Sequence, residues 1–130
     1  MKIIVNNINY DLRPEGAFVL ANYYQGDITI PAQIIVDGQS IRVVGIAQEA
    51  FYGCDDVTSI TLPEGLTTIE DSTFEFMSGL TEIIIPDSVT YIGRSAFSTC
   101  ENLQRVVLPS QLTTIPEDLF ESCSSLTEVN

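Results

Sequence analysis

Histidine and tryptophan are absent from this 130-residue sequence, and lysine and arginine together number only 5. Without histidine no Ser-His or Cys-His nucleophile pair can form, and three cysteines without a histidine are no signature of a zinc site. No Gly-rich stretch is present that would cradle a phosphate group. We therefore predict that the protein is not an enzyme and that it holds no cofactor.

Basic residues are so scarce that the 18 acidic residues give the chain a formal net charge of −13. We predict no nucleic-acid partner, because no basic stripe exists to neutralise phosphates. Acidic pairs fall in predicted turns and at predicted helix starts, where a solvated acidic surface explains them better than a calcium site, and no metal is predicted. These pairs are Asp55-Asp56, Glu70-Asp71 and Glu117-Asp118.

Long apolar runs are missing as well. None approaches the about 20 residues that a membrane-spanning helix needs, so no membrane insertion is predicted. The apolar stretch at the start of the chain, Ile3 to Val5, is too short for the apolar region of a secretory signal. A cytoplasmic and an extracellular location are therefore both compatible with these residues.

What the sequence has instead is repetition with a period of 23 residues. The repeats span 46–68, 69–91, 92–114 and, incompletely, 115–130. Self-similarity at this period predicts a solenoid in which each coil adds one residue to each apolar column of the core. The columns are Phe51, Phe74, Phe97, Phe120; Ile46, Ile69, Ile92, Ile115; Val57, Leu80, Leu103, Leu126; and Ile60, Ile83, Val106, Val129. All four phenylalanines are expected to be buried in one ladder.

Within each repeat the residues before a proline alternate between apolar and polar, as they do in a β-strand with one buried face. Pro63, Pro86 and Pro109 are expected to end these strands, because proline has no N–H for a parallel ladder. A second short extended segment follows and ends at the repeated isoleucine. From there to the position of the cysteines we predict a single helical or 3-10 turn, since its first residues are acidic.

Residues 1–45 depart from the period and are predicted to form an N-terminal β cap within the same domain. The expected strands are 2–5, 8–12 and 17–24, and a break is expected at Gln25-Gly26-Asp27. A hairpin around Asp37-Gly38 follows, since this dipeptide favours a tight turn between strands. Such a cap would cover the apolar interior of the first coil.

The repeat, Ile-x-x-x-Ala-Phe-x-x-Cys-x-x-Leu-x-x-Val-x-Leu-Pro-x-x-Leu-x-x-Ile, resembles that of the BspA-like leucine-rich repeat family of bacteria. Met77 stands where this pattern has cysteine, and Thr73 and Leu119 stand where it has alanine. The resemblance implies a right-handed solenoid in secreted or surface-attached proteins that bind host proteins or other cells. The predicted fold class is therefore a β-rich solenoid, a right-handed leucine-rich-repeat superhelix with short helical or 3-10 turns and an N-terminal β-meander cap.

For function we predict an adhesin-like module of a bacterial surface or secreted protein, which binds a protein partner, for example one of a host, through the outward face of its strands. The candidate contact residues are Ser59, Thr61, Glu82, Ile84, Arg105 and Val107, continued by Glu128 and Asn130. Exposed Ile and Val on an acidic protein indicate a binding stripe. Against this, β-branched residues suit parallel strands whether or not they bind anything. A weaker candidate is the outward column Thr68, Tyr91 and Thr114.

Two other functions fit the same repeats. One is a structural spacer within a longer surface protein, with no ligand on this segment. The other is a carbohydrate-binding module, which is less favoured because sugar sites use aromatic platforms and the outward strand column contains none.

Cys54, Cys100 and Cys123 fall in one column with Met77, which indicates a packing position for small or flexible apolar side chains. We expect all three thiols to be reduced and buried. A Cys100–Cys123 disulfide is the alternative, because adjacent coils lie about 5 Å apart, within disulfide reach. Stacked side chains point in parallel, however, which is poor geometry for a bridge.

The last coil generates a prediction about association. Ile115, Phe120, Leu126 and Val129 are expected to line an uncovered end, either because the chain is part of a longer array, which we favour, or because the end binds another copy. In either case an end-to-end homodimer through this coil is the expected self-contact. Sedimentation equilibrium at rising concentration tests it, and a strict monomer at millimolar protein contradicts it.

Overall fold

The computed structural model describes all 130 residues, which form twelve β-strands and no helix. In chain order these strands are β1 Lys2–Val5, β2 Ile8–Arg13, β3 Gly16–Val19, β4 Gly26–Thr29, β5 Gln33–Val36, β6 Gln39–Ile46, β7 Val57–Thr61, β8 Thr68–Ile69, β9 Glu82–Ile84, β10 Tyr91–Ile92, β11 Arg105–Val107 and β12 Glu128–Val129. The strands wind into a β-solenoid with two faces, and most coils contribute one strand to each face. The predicted fold class is thereby confirmed.

Parallel pairing between successive coils holds the solenoid together. On one face β3, β6, β8 and β10 stack in order, with Ile46 opposite Ile69 and Ile69 opposite Ile92. On the other face, called the strand face below, β4 pairs with β7, and β9 pairs with β11, which pairs with β12. The register of β9, β11 and β12 places Arg105 opposite both Glu82 and Glu128. The repeat of the sequence is therefore the repeat of the structure.

The segment predicted as a cap contains a coil of its own. Val19 of β3 lies opposite Ile46 of β6, so this first coil, 19–45, is 27 residues long rather than 23. The predicted β5–β6 hairpin around Asp37-Gly38 makes the stretch from Pro31 to Ile46 nine residues longer than that from Pro63 to Ile69, and the corner before β4 is five residues shorter than its equivalent. Before the coil, β1, β2 and β3 form an antiparallel meander that extends the sheet beyond the first coil.

Two details of this segment differ from the sequence prediction. The third strand, expected over 17–24, ends at Val19, and Gly26 and Asp27, expected as a break, begin β4. The reason is the corner between β3 and β4. The chain has to turn here so that the Tyr24 ring enters the core below Phe51, with 4.8 Å between the ring centroids.

A ladder of aromatic rings runs through the core along the solenoid axis. After Tyr24 and Phe51, the centroid distances are 5.6 Å from Phe51 to Phe74, 5.1 Å from Phe74 to Phe97 and 5.9 Å from Phe97 to Phe120. Phe51, Phe74 and Phe97 are buried as predicted. The prediction is wrong for Phe120, which is only partly buried because a ring covers it on one side alone.

The corner after each repeated isoleucine consists of hydrogen-bonded turns, not of the predicted helical or 3-10 turn. Every second amide bonds to the neighbouring coil, as in Phe51 N to Thr73 O at 2.9 Å, and the amides between them close single turns, as in Tyr52 N to Glu49 O at 3.1 Å. Two positions per coil also have positive φ, which a right-handed helix cannot contain. They are Glu49, Ser72, Ser95 and Asp118, and then Gly53, Phe76, Thr99 and Ser122.

The ring ladder predicts a large and position-dependent effect of truncation. Phe97→Ala should lower the free energy of unfolding by about 3–5 kcal/mol, because it opens a cavity between two stacked rings. Phe120→Ala is the matched control and should cost clearly less, since its ring is partly solvated already. Urea denaturation of both variants measures the difference. Equal losses would contradict the assignment of Phe97 to the centre of the core.

Candidate functional site

The strand face carries two outward columns of side chains, separated by the buried column of Ile60, Ile83 and Val106. The strand register and the repeat align the members of each column. The first column is Asp27, Ser59, Glu82, Arg105 and Glu128, and the second is Thr29, Thr61, Ile84 and Val107. The predicted alternation of inward and outward residues is thus observed in these strands.

The first column is ordered by charge at its far end. Arg105 Nη1 lies 3.6 Å from Glu82 Oε2, and Arg105 Nε lies 3.3 Å from Glu128 Oε2. A hydrogen bond from Asn130 Nδ2, with help from Arg105, lowers the pKa of Glu128 below its ordinary value. Ion pairs this exposed add little stability. Their effect is to hold Arg105, the one cation of the column, between two carboxylates.

At the near end of the column Asp27 is held by two hydroxyl groups. Thr58 Oγ1 and Ser59 Oγ each donate to Asp27 Oδ1 at 2.9 Å. These hydrogen bonds lower the pKa of Asp27 below its ordinary value. The carboxylate is therefore ionised at neutral pH and fixed in position on the first coil.

The second column is less apolar at the surface than predicted. Ile84 is 57% exposed, and Thr61 is exposed too. Val107, predicted as exposed, is partly buried, as is Arg105 beside it. The exposed apolar surface of the strand face is thus centred on Ile84.

A cleft opens beside Ile84, where β7 and β9 are neighbours but do not pair. Between the next two strands, β9 and β11, two flanking hydrogen bonds join the coils. Gln104 N donates to Thr81 O, and Ile85 N donates to Val107 O. The equivalent amides one repeat earlier belong to Thr81 and Leu62, and neither forms a backbone hydrogen bond. The cleft has a volume of about 300 Å³ and is lined at its surface by Ser59, Thr61, Glu64, Glu82, Ile84 and Pro86.

Four of the six predicted contact residues thus meet at one cleft, and Arg105 and Val107 lie on the next strand. The sequence prediction did not include Asp27 and Thr29, which begin the two columns. The signal was present, because Ile28-Thr29-Ile30-Pro31 matches Ile60-Thr61-Leu62-Pro63 of the repeat.

The weaker candidate column lies on the other face. Tyr91 pairs with Thr68 across β10 and β8, and the Tyr91 side chain is exposed. Thr114 lies outside any strand, but it lines a cavity of about 280 Å³ together with Tyr91. Strand pairing therefore brings Thr68 and Tyr91 together, and the cavity brings Tyr91 and Thr114 together.

No group of three or more Cys, Asp or Glu side chains is arranged to hold a metal ion. The structure also has no helix of the length and apolar character needed to cross a membrane.

The cysteine column is bonded to the backbone of neighbouring coils, and all three thiols are free. Sγ of Cys100 donates to Phe74 O at 3.0 Å, and Sγ of Cys123 donates to Phe97 O at 2.9 Å. Burial raises the pKa of Cys54, and the Cys123 thiol together with burial raises the pKa of Cys100. The prediction that all three are buried is wrong for Cys123, which is partly exposed in the last coil.

A family model described as a BspA type leucine-rich repeat region, in 6 copies, matches residues 39–130. The chain belongs to the BspA type leucine-rich repeat family. A search of curated proteins found no match.

Solved structures agree with this family. A leucine-rich repeat protein from Bacteroides capillosus superposes with a TM-score of 0.85 at 19% identity, covering 99% of this chain and 98% of that one. A leucine rich cell surface protein from Faecalibacterium prausnitzii gives 0.77 at 25% identity, covering 100% of this chain. A leucine-rich repeat protein from Eubacterium ventriosum gives 0.74 at 27% identity, covering 95% of this chain. The chain spans 42% of the Faecalibacterium protein and 33% of the Eubacterium protein.

The cysteine column of this BspA-type repeat chain makes a prediction about thiol reactivity. In the native protein at neutral pH, one thiol should react quickly with a disulfide reagent and two slowly, because only Cys123 is accessible. After denaturation all three should react. Cys123→Ser is the control and should remove the fast phase alone. A fast phase that persists in this variant, or fewer than three thiols after denaturation, would contradict the structure.

Proposed function

We propose that this segment is a non-enzymatic protein-interaction module of a bacterial surface or secreted protein and that it binds its partner through the strand face. The observation that carries the proposal is the cleft between β7 and β9, with exposed Ile84 at its side. An exposed aliphatic side chain beside a concavity is the arrangement from which a central contact of an interface is built.

The cleft offers a partner both apolar and polar contacts. The amide of Leu62, which lines the cleft, has no backbone acceptor, and a carbonyl or hydroxyl group of a partner would supply one. Ile84 of the same cleft supplies the apolar contact. Buried amides without an acceptor cost free energy. A partner that accepts hydrogen bonds therefore gains more binding free energy between β7 and β9 than at the paired strands of the same face.

Charge favours a basic partner surface. The columns of the strand face carry the carboxylates of Asp27, Glu82 and Glu128 against the single cation Arg105. The whole chain adds a formal charge of −13, which speeds association with positively charged surfaces and disfavours acidic ones.

An extracellular location, with a host protein or a protein of another cell as partner, is part of the proposal. Its support is the likeness to a protein described as a leucine rich cell surface protein, of which this chain spans 42%. The alternative role as a spacer would leave the strand face without a ligand. The cleft favours the binding role, since a spacer has no use for an unpaired strand interval.

The strand face is tested by charge insertion. Ile84→Asp should weaken binding of any protein that the wild-type module captures by at least about tenfold, because a carboxylate at the centre of the contact would be desolvated without a partner. Ile84→Asp combined with Val107→Asp should abolish it. Binding is measured by surface plasmon resonance on the isolated module.

Tyr91→Asp is the matched control, since Tyr91 is similarly exposed on the other face. It should leave both binding and the urea denaturation curve unchanged. If Ile84→Asp binds as well as the wild type while folding normally, the strand face is not the binding surface. Capture of no protein at all would favour the spacer role.

A further inference from the structure

A second cavity, of about 530 Å³, lies where the β1–β2 hairpin meets the first coil, at the edge of β4 that faces away from β7. Its walls are polar, and apart from one carboxylate they are uncharged. The groups that matter are the side chains of Asn6, Asn7, Asn22, Tyr23, Gln25 and Asp27. The cavity shares none of the residues that line the cleft beside Ile84.

Two of these side chains accept hydrogen bonds and still have a polar atom without a partner. Asn22 Oδ1 accepts from Tyr23 N at 2.8 Å, and Asn22 Nδ2 has no acceptor. Asp27 Oδ1 accepts hydroxyl groups of Thr58 and Ser59 on β7, and Asp27 Oδ2 has no donor. The two atoms can therefore donate to and accept from a ligand.

The remaining polar groups are also free to bind. Asn6 and Asn7 form the hairpin turn with φ of 48° and 68°, so the backbone fixes the base of both amide side chains. Strand β4 adds main-chain groups. Gly26 N and Ile30 N donate to the second coil, and alternation along the strand turns the amides and carbonyls of Asp27 and Thr29 to the cavity side.

Tyr23 adds an exposed aromatic face. Its side chain is 71% exposed, whereas the next residue, Tyr24, is buried in the ring ladder and donates to Leu20 O at 2.6 Å. The buried ring anchors the segment that carries the exposed one. The aromatic platform that the outward columns of the strand face lack is therefore present here.

We infer that this cavity is a binding site for an uncharged saccharide. Sugar hydroxyl groups are both donors and acceptors, which matches free amide groups and a carboxylate, and the C–H face of a sugar ring packs on an aromatic ring. A single carboxylate is too few for a metal ion, which requires several oxygen ligands. An anionic ligand is repelled by the formal charge of −13. The volume lies within the range of small-molecule sites.

The inference is tested on the full chain by saturation-transfer NMR and calorimetry. The probes are four neutral trisaccharides, namely tri-N-acetylchitotriose, cellotriose, mannotriose and maltotriose, together with sialyllactose and trilysine. At least one neutral trisaccharide should bind with a dissociation constant of about 1 mM or tighter. Sialyllactose and trilysine should bind more weakly. Binding of none of the neutral sugars overturns the inference, and so does tighter binding of trilysine, which would mark a site for cationic peptides.

Variants locate the site. Tyr23→Ala and Asp27→Asn should each weaken the bound trisaccharide by about tenfold or more, because one removes the platform and the other the fixed acceptor charge. Tyr91→Ala, which removes another exposed tyrosine elsewhere, should have no effect, and neither should Ile84→Asp. Sugar binding that survives both Tyr23→Ala and Asp27→Asn overturns the assignment. Because Ile84→Asp is silent here, failure of this site and failure of the strand-face proposal are distinguishable.

Discussion

Stacking of successive coils in a fixed register is the constraint on which the rest of this structure depends. A single coil cannot bury its own isoleucines and phenylalanine, because the equivalent residues of the coils on either side cover them along the solenoid axis. The ring ladder from Tyr24 to Phe120 shows this directly, since each central ring is covered by the ring before it and the ring after it. Aromatic pairs of this kind add about 0.5–1.5 kcal/mol beyond the area that they bury.

The same register organises the surface. Once inward residues are aligned, outward residues must form columns as well, and the columns of the strand face follow. They are interrupted where one residue departs from its equivalents. Asn102 Nδ2 bridges to Ser78 O at 2.7 Å, but one repeat earlier the matching residue is Gly79. A Cβ at Gly79 would lie 2.6 Å from the carbonyl oxygens of both Asp55 and Val57. The coils touch at this glycine without the amide bridge that Asn102 forms one repeat later, and the pair of strands without hydrogen bonds begins just after it.

Periodicity made the repeating part of the fold predictable, because every strand after residue 46 lies at a spacing that four copies display. The first coil was harder. Its hairpin changes the spacing, so Tyr24 does not align with the phenylalanine column in the sequence. The corners were predicted as helical from their acidic residues, yet every second amide bonds across coils, which no single repeat reveals. The exposure of Val107 and Cys123 depends on the neighbouring coils, and the cleft depends on the absence of two hydrogen bonds. The residue types of a repeat and their spacing do not reveal these features.

The hairpin of β5 and β6 shows how such a chain accommodates changes in length. It adds residues between the strand face and the following strand of the other face, and it projects without disturbing the pairing of Ile46 with Ile69. An insertion that is looped out at this corner leaves both sheets in register. An insertion inside a strand would shift every outward residue to the inside. Changes in length that keep the strands in register are thus confined to the addition of whole coils and to insertions at corners.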